Sequence, residues 1–157
     1  MKNNKDHINI INDVHKEIKE KYNIRGFPTV LFLDGKGEEI DRIFGFDGDK
    51  GAYFKILTDY AAGKNTLRLF LSEVKAAPDN IDANFKLAKK YVSRWEWENA
   101  QPYFSKVLTL DPNDEKGFKT ESRCYLAVIE SRVNKNIKPL LSFIESNTEE
   151  QFWEPAY

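Results

Sequence analysis

An α/β segment followed by an all-α segment is the fold class this sequence predicts, and three observations carry it. Short alternating or apolar runs separated by Gly-containing turns are confined to the first third of the chain. Beyond Gly63 the apolar residues recur only at helical spacing. The breaks Pro78-Asp79-Asn80 and Pro112-Asn113-Asp114 punctuate that second part at nearly matching places. The composition shift near Gly63-Lys64-Asn65 divides the chain into residues 1–63 and 64–157.

The elements follow in order. His7-Ile8-Asn9-Ile10-Ile11 alternates as a short strand. Asn12 or Asp13 suits the N-cap of a helix whose apolar face is Val14, Ile18 and Tyr22, and Asn23 suits its left-handed exit. Val30-Leu31-Phe32-Leu33 reads as a buried strand, Asp34-Gly35-Lys36-Gly37 as a turn and Glu38 to Phe44 as the second arm of a hairpin. Tyr53, Phe54, Leu57, Tyr60 and Ala61 mark an amphipathic helix ending at Gly63. Then come a helix capped by Asn65 or Thr66, two longer helices over about Asp82 to Arg94 and Asn99 to Leu110, and a final pair over Lys116 to Val133 and Ile137 to Ser146.

Composition narrows the function. The chain has 157 residues, 41% apolar and 31% charged, with a formal net charge of −1, so nothing points to nucleic acid or an anionic membrane. No stretch approaches the ~18 apolar residues of a membrane span. A single cysteine, Cys124, cannot form an internal disulfide and is too few for a cysteine-based zinc site. On a predicted helix, it reads as a small packed hydrophobe. His7 and His15, eight residues apart with no third ligand, make a poor metal site. No serine–histidine–aspartate set, phosphate loop or carboxylate pair stands out, and no cofactor is implied. A polar start without a hydrophobic leader fits the cytoplasm if Met1 is the natural start, and an extracytoplasmic location if an N-terminal part is missing.

The run Tyr22-Asn23-Ile24-Arg25-Gly26-Phe27-Pro28-Thr29-Val30-Leu31-Phe32-Leu33, with Gly45 after the hairpin, resembles the second half of a thioredoxin-like domain over about residues 7–63. Asp41-Arg42-Ile43-Phe44-Gly45-Phe46 and Ala62-Gly63-Lys64-Asn65-Thr66-Leu67 resemble the branch with a Trp-Cys-x-x-Cys or related site. The resemblance implies a cis Phe27–Pro28 bond. It implies also that the redox motif and a central strand would precede residue 7, leaving the strands at Ile8–Ile11 and Val30–Leu33 with unpaired edges. The expectation is a piece of a longer protein, a rearranged chain, or pairing supplied by another chain, self-association included. Gly26, Phe27 and Pro28 have two readings. They make a fold-defining turn, or they contact an extended peptide as the family does.

Asn84-x-x-Leu87-Ala88-x-x-Tyr91, Ala100-x-x-x-Phe104 and Pro112 fall at the spacing of a tetratricopeptide repeat, whose period is ~34 residues. Asn84 departs where the family has a large side chain. Leu67 to Pro78 resembles the end of a preceding repeat. Phe118 and Tyr125 resemble the start of a following one, from which Glu121 and Asn134 depart. The resemblance implies a protein-binding concave surface formed by Phe85, Lys89, Val92 and Ser93 and then by Lys116, Lys119 and Arg123. Its four cations suit an acidic or C-terminal carboxylate peptide, or they are a solvated basic face. The asparagines of the family's carboxylate-binding version are absent there. Two functions follow. One is the non-catalytic part of a thioredoxin-like protein with a protein-binding tail, the parent being a thiol–disulfide oxidoreductase or redox-linked co-chaperone. The other is a self-sufficient adaptor that binds peptides through the concave surface. Redox chemistry through Cys124 alone is a third, minor reading.

Overall fold

A computed structural model describes residues 16–46 and 48–147. The expected strand at Ile8–Ile11, the caps Asn12 and Asp13, and both histidines lie outside the described residues. Those residues form seven helices and one two-stranded antiparallel sheet.

Helix α1 is seen over residues 16–21 and ends through Asn23 at φ 48°, where the Ile24 N–H donates to the Lys19 carbonyl at 2.9 Å. The Phe27–Pro28 peptide is cis. Strands β1 (Thr29–Leu33) and β2 (Glu39–Phe44) pair with Leu31 opposite Arg42 and Thr29 opposite Phe44. Asp34 organises their turn. Its Oδ1 accepts from the N–H groups of Lys36 and Glu38 at 2.9 and 3.0 Å. Helix α2 (Lys50–Ala61) is capped by Asp49, whose side chain accepts from Gly51 and Ala52, and it ends at Gly63 with φ 70°.

The second part is a run of helices: α3 (Leu67–Ala76), α4 (Ile81–Ser93), α5 (Trp97–Leu110), α6 (Lys119–Val133) and α7 (Lys138–Ser146). Thr66 and Asn80 cap α3 and α4 through bonds from Leu69 and Ala83. Each helix packs on the next in sequence, and α3 also touches β2. The helix expected from Lys116 begins three residues later. Asp111 accepts from the N–H groups of Glu115 and Lys116 at 2.9 and 2.8 Å, Asp114 accepts from Lys119 at 2.8 Å, and Gly117 takes φ 72°. These side-chain bonds stabilise a loop where helical spacing would otherwise continue.

The hydrophobic core lies wholly among the helices. Phe85, Ala88 and Val92 of α4, Ala100, Phe104 and Val107 of α5, and Ile129 of α6 form it. The small side chains at Ala88 and Ala100, both fully buried, let α4 and α5 approach closely. By contrast, α2 has no buried residue and β1 is only half-buried, with Leu33 exposed. The buried strand expected at Val30–Leu33 is therefore a partly covered one. A sheet of two strands with its apolar side chains half in solvent is marginal by itself.

Phe104 is fully buried, with its ring stacked on Tyr125 at 4.9 Å and set edge-on to Phe85 at 6.0 Å. Phe104→Ala should cost about 3–5 kcal/mol in urea unfolding. Phe54→Ala, at a position 66% exposed, should change stability by no more than about 0.5 kcal/mol.

Candidate functional site

The helix residues singled out by the repeat spacing do come together. Phe85 of α4 stacks face to face on Phe118 at 4.1 Å, which brings the N-terminal part of α6 against α4. Around this ring pair, Lys89 reaches Glu121 at 2.6 Å and Lys116 reaches Asp82 at 2.9 Å. Lys119 donates its Nζ to the Pro112 carbonyl at 2.7 Å. Arg123 lies one turn beyond Lys119 on the same helix face. It is exposed and has no ion pair among the described residues.

Burial divides these residues into two kinds. Phe85 and Val92 belong to the core, at 7% and 8% exposure, so they support the face rather than present it. Ser93 turns its hydroxyl back to the Lys90 carbonyl at 2.8 Å. The lysines are half in solvent. The hydrogen bond that Lys116 donates to Asp82 raises the ammonium's pKa and holds the Asp82 carboxyl below its usual range. Exposed pairs of this kind are weak and screened by solvent, so each can be exchanged for a pair with an incoming anion.

Gly26, Phe27 and Pro28 stand apart, just ahead of β1. Phe27 is 80% exposed, and the Thr29 hydroxyl closes the turn on the Gly26 carbonyl at 2.6 Å. No hydrogen bond, ion pair or ring contact joins them to the α4–α6 face among the described residues.

A second constellation, absent from the sequence reading, is a buried ionic junction between the two parts of the chain. Asp41 of β2 is fully buried. Its Oδ1 accepts from the Arg94 guanidinium at 2.7 Å and from the Arg42 N–H at 2.7 Å. Its Oδ2 accepts from the Leu67 N–H at 2.9 Å, at the start of α3, and lies 3.0 Å from the Lys90 ammonium. Lys90 also donates to the Tyr60 hydroxyl at 2.6 Å. Glu39 binds both Arg94, at 2.8 Å, and Arg42, and Arg94 also holds Glu96 at 2.8 Å. Arg42 continues to the Tyr22 carbonyl at 2.8 Å. Residues of α2, α3, α4, β2 and the end of α1 thus share one network of alternating charge.

Electrostatics follow from the burial. Desolvation lowers the Lys90 ammonium pKa, and Asp41 opposes the shift. Desolvation pulls the Arg94 pKa down, but Glu96, Glu39 and Asp41 outweigh it and the net shift is upward. For Glu39 desolvation raises the carboxyl, and the hydrogen bonds from Arg42 and Arg94 more than reverse it. Burial pushes the Tyr60 phenol up strongly. Every group is held by a partner, so the arrangement fastens the fold. The signal was partly legible: Glu39 and Asp41 share one face of a strand, and Lys90 and Arg94 share one face of a helix. That the two faces meet was not.

Two tryptophans flank the turn between α4 and α5. Trp95, at φ 57° and 59% exposed, stacks on Phe44 of β2 at 5.5 Å rather than on a neighbouring helix. Trp97 opens α5 under the Arg132 guanidinium, 4.7 Å from its ring. Cys124 is half-buried, and burial together with Glu121 pushes its thiol pKa up, away from a reactive thiolate. Phe46, Lys50, Tyr53, Phe54 and Leu57 line an open, mostly apolar groove of about 350 Å³ on α2.

No known protein family matches the chain, and no curated protein or solved structure matches it. Among the described residues no group of His, Cys, Asp and Glu could hold a metal ion, and no helix is long and apolar enough to cross a membrane.

Asp41→Ala would leave Lys90 and Arg94 as buried cations short of a partner, and should cost about 3–5 kcal/mol in denaturant unfolding. Glu39 has its pKa lowered from 4.5. Its contribution to stability is therefore complete above that value and is lost as pH falls through the folded-state pKa. Unfolding curves of Glu39→Gln should show less acid sensitivity below about pH 4.5 than the parent chain.

Proposed function

We propose that this chain is a protein-interaction module of the tetratricopeptide kind, which binds acidic peptide segments on the α4–α6 face, with the thioredoxin-like α/β part fastened to it as a structural platform. One observation carries the reading. Lys89, Lys116, Lys119 and Arg123 share one continuous surface over the Phe85–Phe118 ring pair, and the pairs they already make are solvent-exposed and exchangeable. An extended acidic segment would replace Glu121 and Asp82 at the lysines, meet the free Arg123, and lay apolar side chains on the edge of Phe118. Phe85 and Val92 hold the face in shape from below. The peptide-contact reading of Gly26, Phe27 and Pro28 is kept for the platform, where Phe27 stands exposed just ahead of β1, one edge of which pairs with no strand among the described residues.

A second reading rests on uncovered apolar surface in the platform. Phe27, Phe46 and Phe54 are each at least half exposed, and α2 buries none of its residues. Such surface on a two-stranded sheet fits a non-catalytic part of a larger thioredoxin-like protein, with a parent of the thiol–disulfide oxidoreductase or redox-linked co-chaperone type. The two readings are compatible, because the binding face and the platform lie on different elements.

A fluorescein-labelled peptide of alternating glutamate and leucine, titrated by polarisation, tests the first reading. Lys89→Ala, Lys116→Ala and Arg123→Ala together should weaken its binding at least about tenfold, since two or three charge-assisted contacts at ~1 kcal/mol each are removed. Added salt should weaken binding to the parent chain. Binding unchanged by the triple substitution would reject the α4–α6 face as the site. For the second reading, iodoacetamide should label Cys124 slowly at neutral pH and faster only in strongly alkaline buffer. Fast neutral labelling would instead return redox chemistry to this chain.

A further inference from the structure

The two outer edges of the sheet differ. The Gly45 N–H donates to the Pro28 carbonyl at 2.9 Å, and the register sets Val30 opposite Ile43 and Phe32 opposite Asp41. Backbone groups alternate in direction along an antiparallel pair, so Val30 and Phe32 aim theirs at β2. The N–H and C=O groups of Thr29, Leu31 and Leu33 therefore point away from β2, and none has a partner among the described residues. On β2 the outer edge is blunted. The Arg42 N–H donates to the neighbouring Asp41 side chain at 2.7 Å, and the Glu39 carbonyl accepts from Arg68 at 3.0 Å. Strand β1 lacks such a device. From Gly26 to Leu33 there is no charged side chain, the residue type that commonly guards an edge, and Pro28 stands ahead of the strand without removing a donor from it.

A second copy of this edge is its complement. Let Leu31 of one copy lie opposite Leu31 of the other, antiparallel about a two-fold axis. Leu31 then exchanges both of its hydrogen bonds with its counterpart, and Thr29 exchanges both of its own with Leu33 at each end. Every outward group of the strand is used and none is left over. The side chains agree with this register. Val30 meets Phe32, a β-branched residue against an aromatic one, Leu31 meets Leu31, and Thr29 meets Leu33, so no charge opposes a charge. Phe27, 80% exposed, falls at the register position of Gly35 in the other copy. Nothing lies within 4 Å of the place a Cβ would take on Gly35, so that position is open to a ring.

We propose that the chain forms a two-fold dimer through the β1 edge, joining the two hairpins into one four-stranded antiparallel sheet. The dimer supplies what a two-stranded sheet lacks, since an isolated pair of strands is marginal in water. This surface is separate from the α4–α6 face, and the inference does not rest on peptide binding there.

Strand addition over so short an edge gives a small interface, so the dissociation constant should be on the order of 10 μM. Sedimentation equilibrium of the full chain should show one chain mass in dilute protein and twice that mass as concentration rises. A monomer at all concentrations up to about 100 μM would overturn the proposal, whatever else covers the edge. Leu33 is exposed, so Leu33→Lys should keep the urea midpoint of the parent chain while raising the dissociation constant at least about tenfold. A dimer of unchanged affinity in that variant would place the contact elsewhere and reject the β1 edge. Nitroxide labels test the register. In a Cys124→Ser chain, labels on Leu31→Cys should lie closer across the dimer than labels on Thr29→Cys, because the axis passes through Leu31. The opposite order would overturn the pairing.

Discussion

Asp41 is the residue on which the arrangement of this protein depends. Its carboxylate is fully buried and takes four partners: the Lys90 ammonium, the Arg94 guanidinium, the Arg42 N–H and the Leu67 N–H. A buried charge is tolerable only when partners replace its lost hydration, and here every acceptor direction is filled. The donors come from β2 itself, the first turn of α3 and the last turns of α4. The carboxylate at the start of α3 also meets the positive end of that helix. One side chain thereby sets the position of the sheet against the helices.

The core explains why such a junction is needed. Leu87, Ala88, Ala100, Phe104 and Ile129 are buried almost completely, and all lie on α4, α5 or α6. Among the described residues ahead of Thr66 the buried ones are Asp41 and Arg42, both charged. The α/β part therefore gains little from hydrophobic burial of its own and takes its order from the helices. Trp95 adds to this attachment through its stack on Phe44, and Lys90 through its bond to Tyr60. Polar contacts are directional, so they fix one docking geometry where a plain apolar contact would allow several.

Opposite demands shape the α4–α6 face. There the ion pairs are exposed, so they cost little to open, and the Phe85–Phe118 stack beneath them keeps the helices in register. The proposed role in peptide binding draws on this contrast. The junction binds its charges permanently, whereas the face holds them loosely in water.

The sequence by itself determined the local elements: the hairpin with Asp34 in its turn, a cap at Asn65 or Thr66, of which the fold uses Thr66, the left-handed exit at Asn23, and the order of helices after Gly63. Each depends on neighbouring residues, whose spacing is written directly in the chain. The grouping of Lys89, Lys116, Lys119 and Arg123 on one surface was an implication of the tetratricopeptide resemblance rather than of the spacing of these residues. Misread were the features that depend on what lies across a gap in sequence. Val30–Leu33 was expected to be buried and is half-covered, and a helix expected from Lys116 gave way to the Asp111 and Asp114 loop bonds. Only the tertiary structure decided that Asp41 and Glu39 face Lys90 and Arg94. Those pairs are separated by about fifty residues of chain, and a charged side chain on an alternating strand looks the same in sequence whether it faces water or a buried cation.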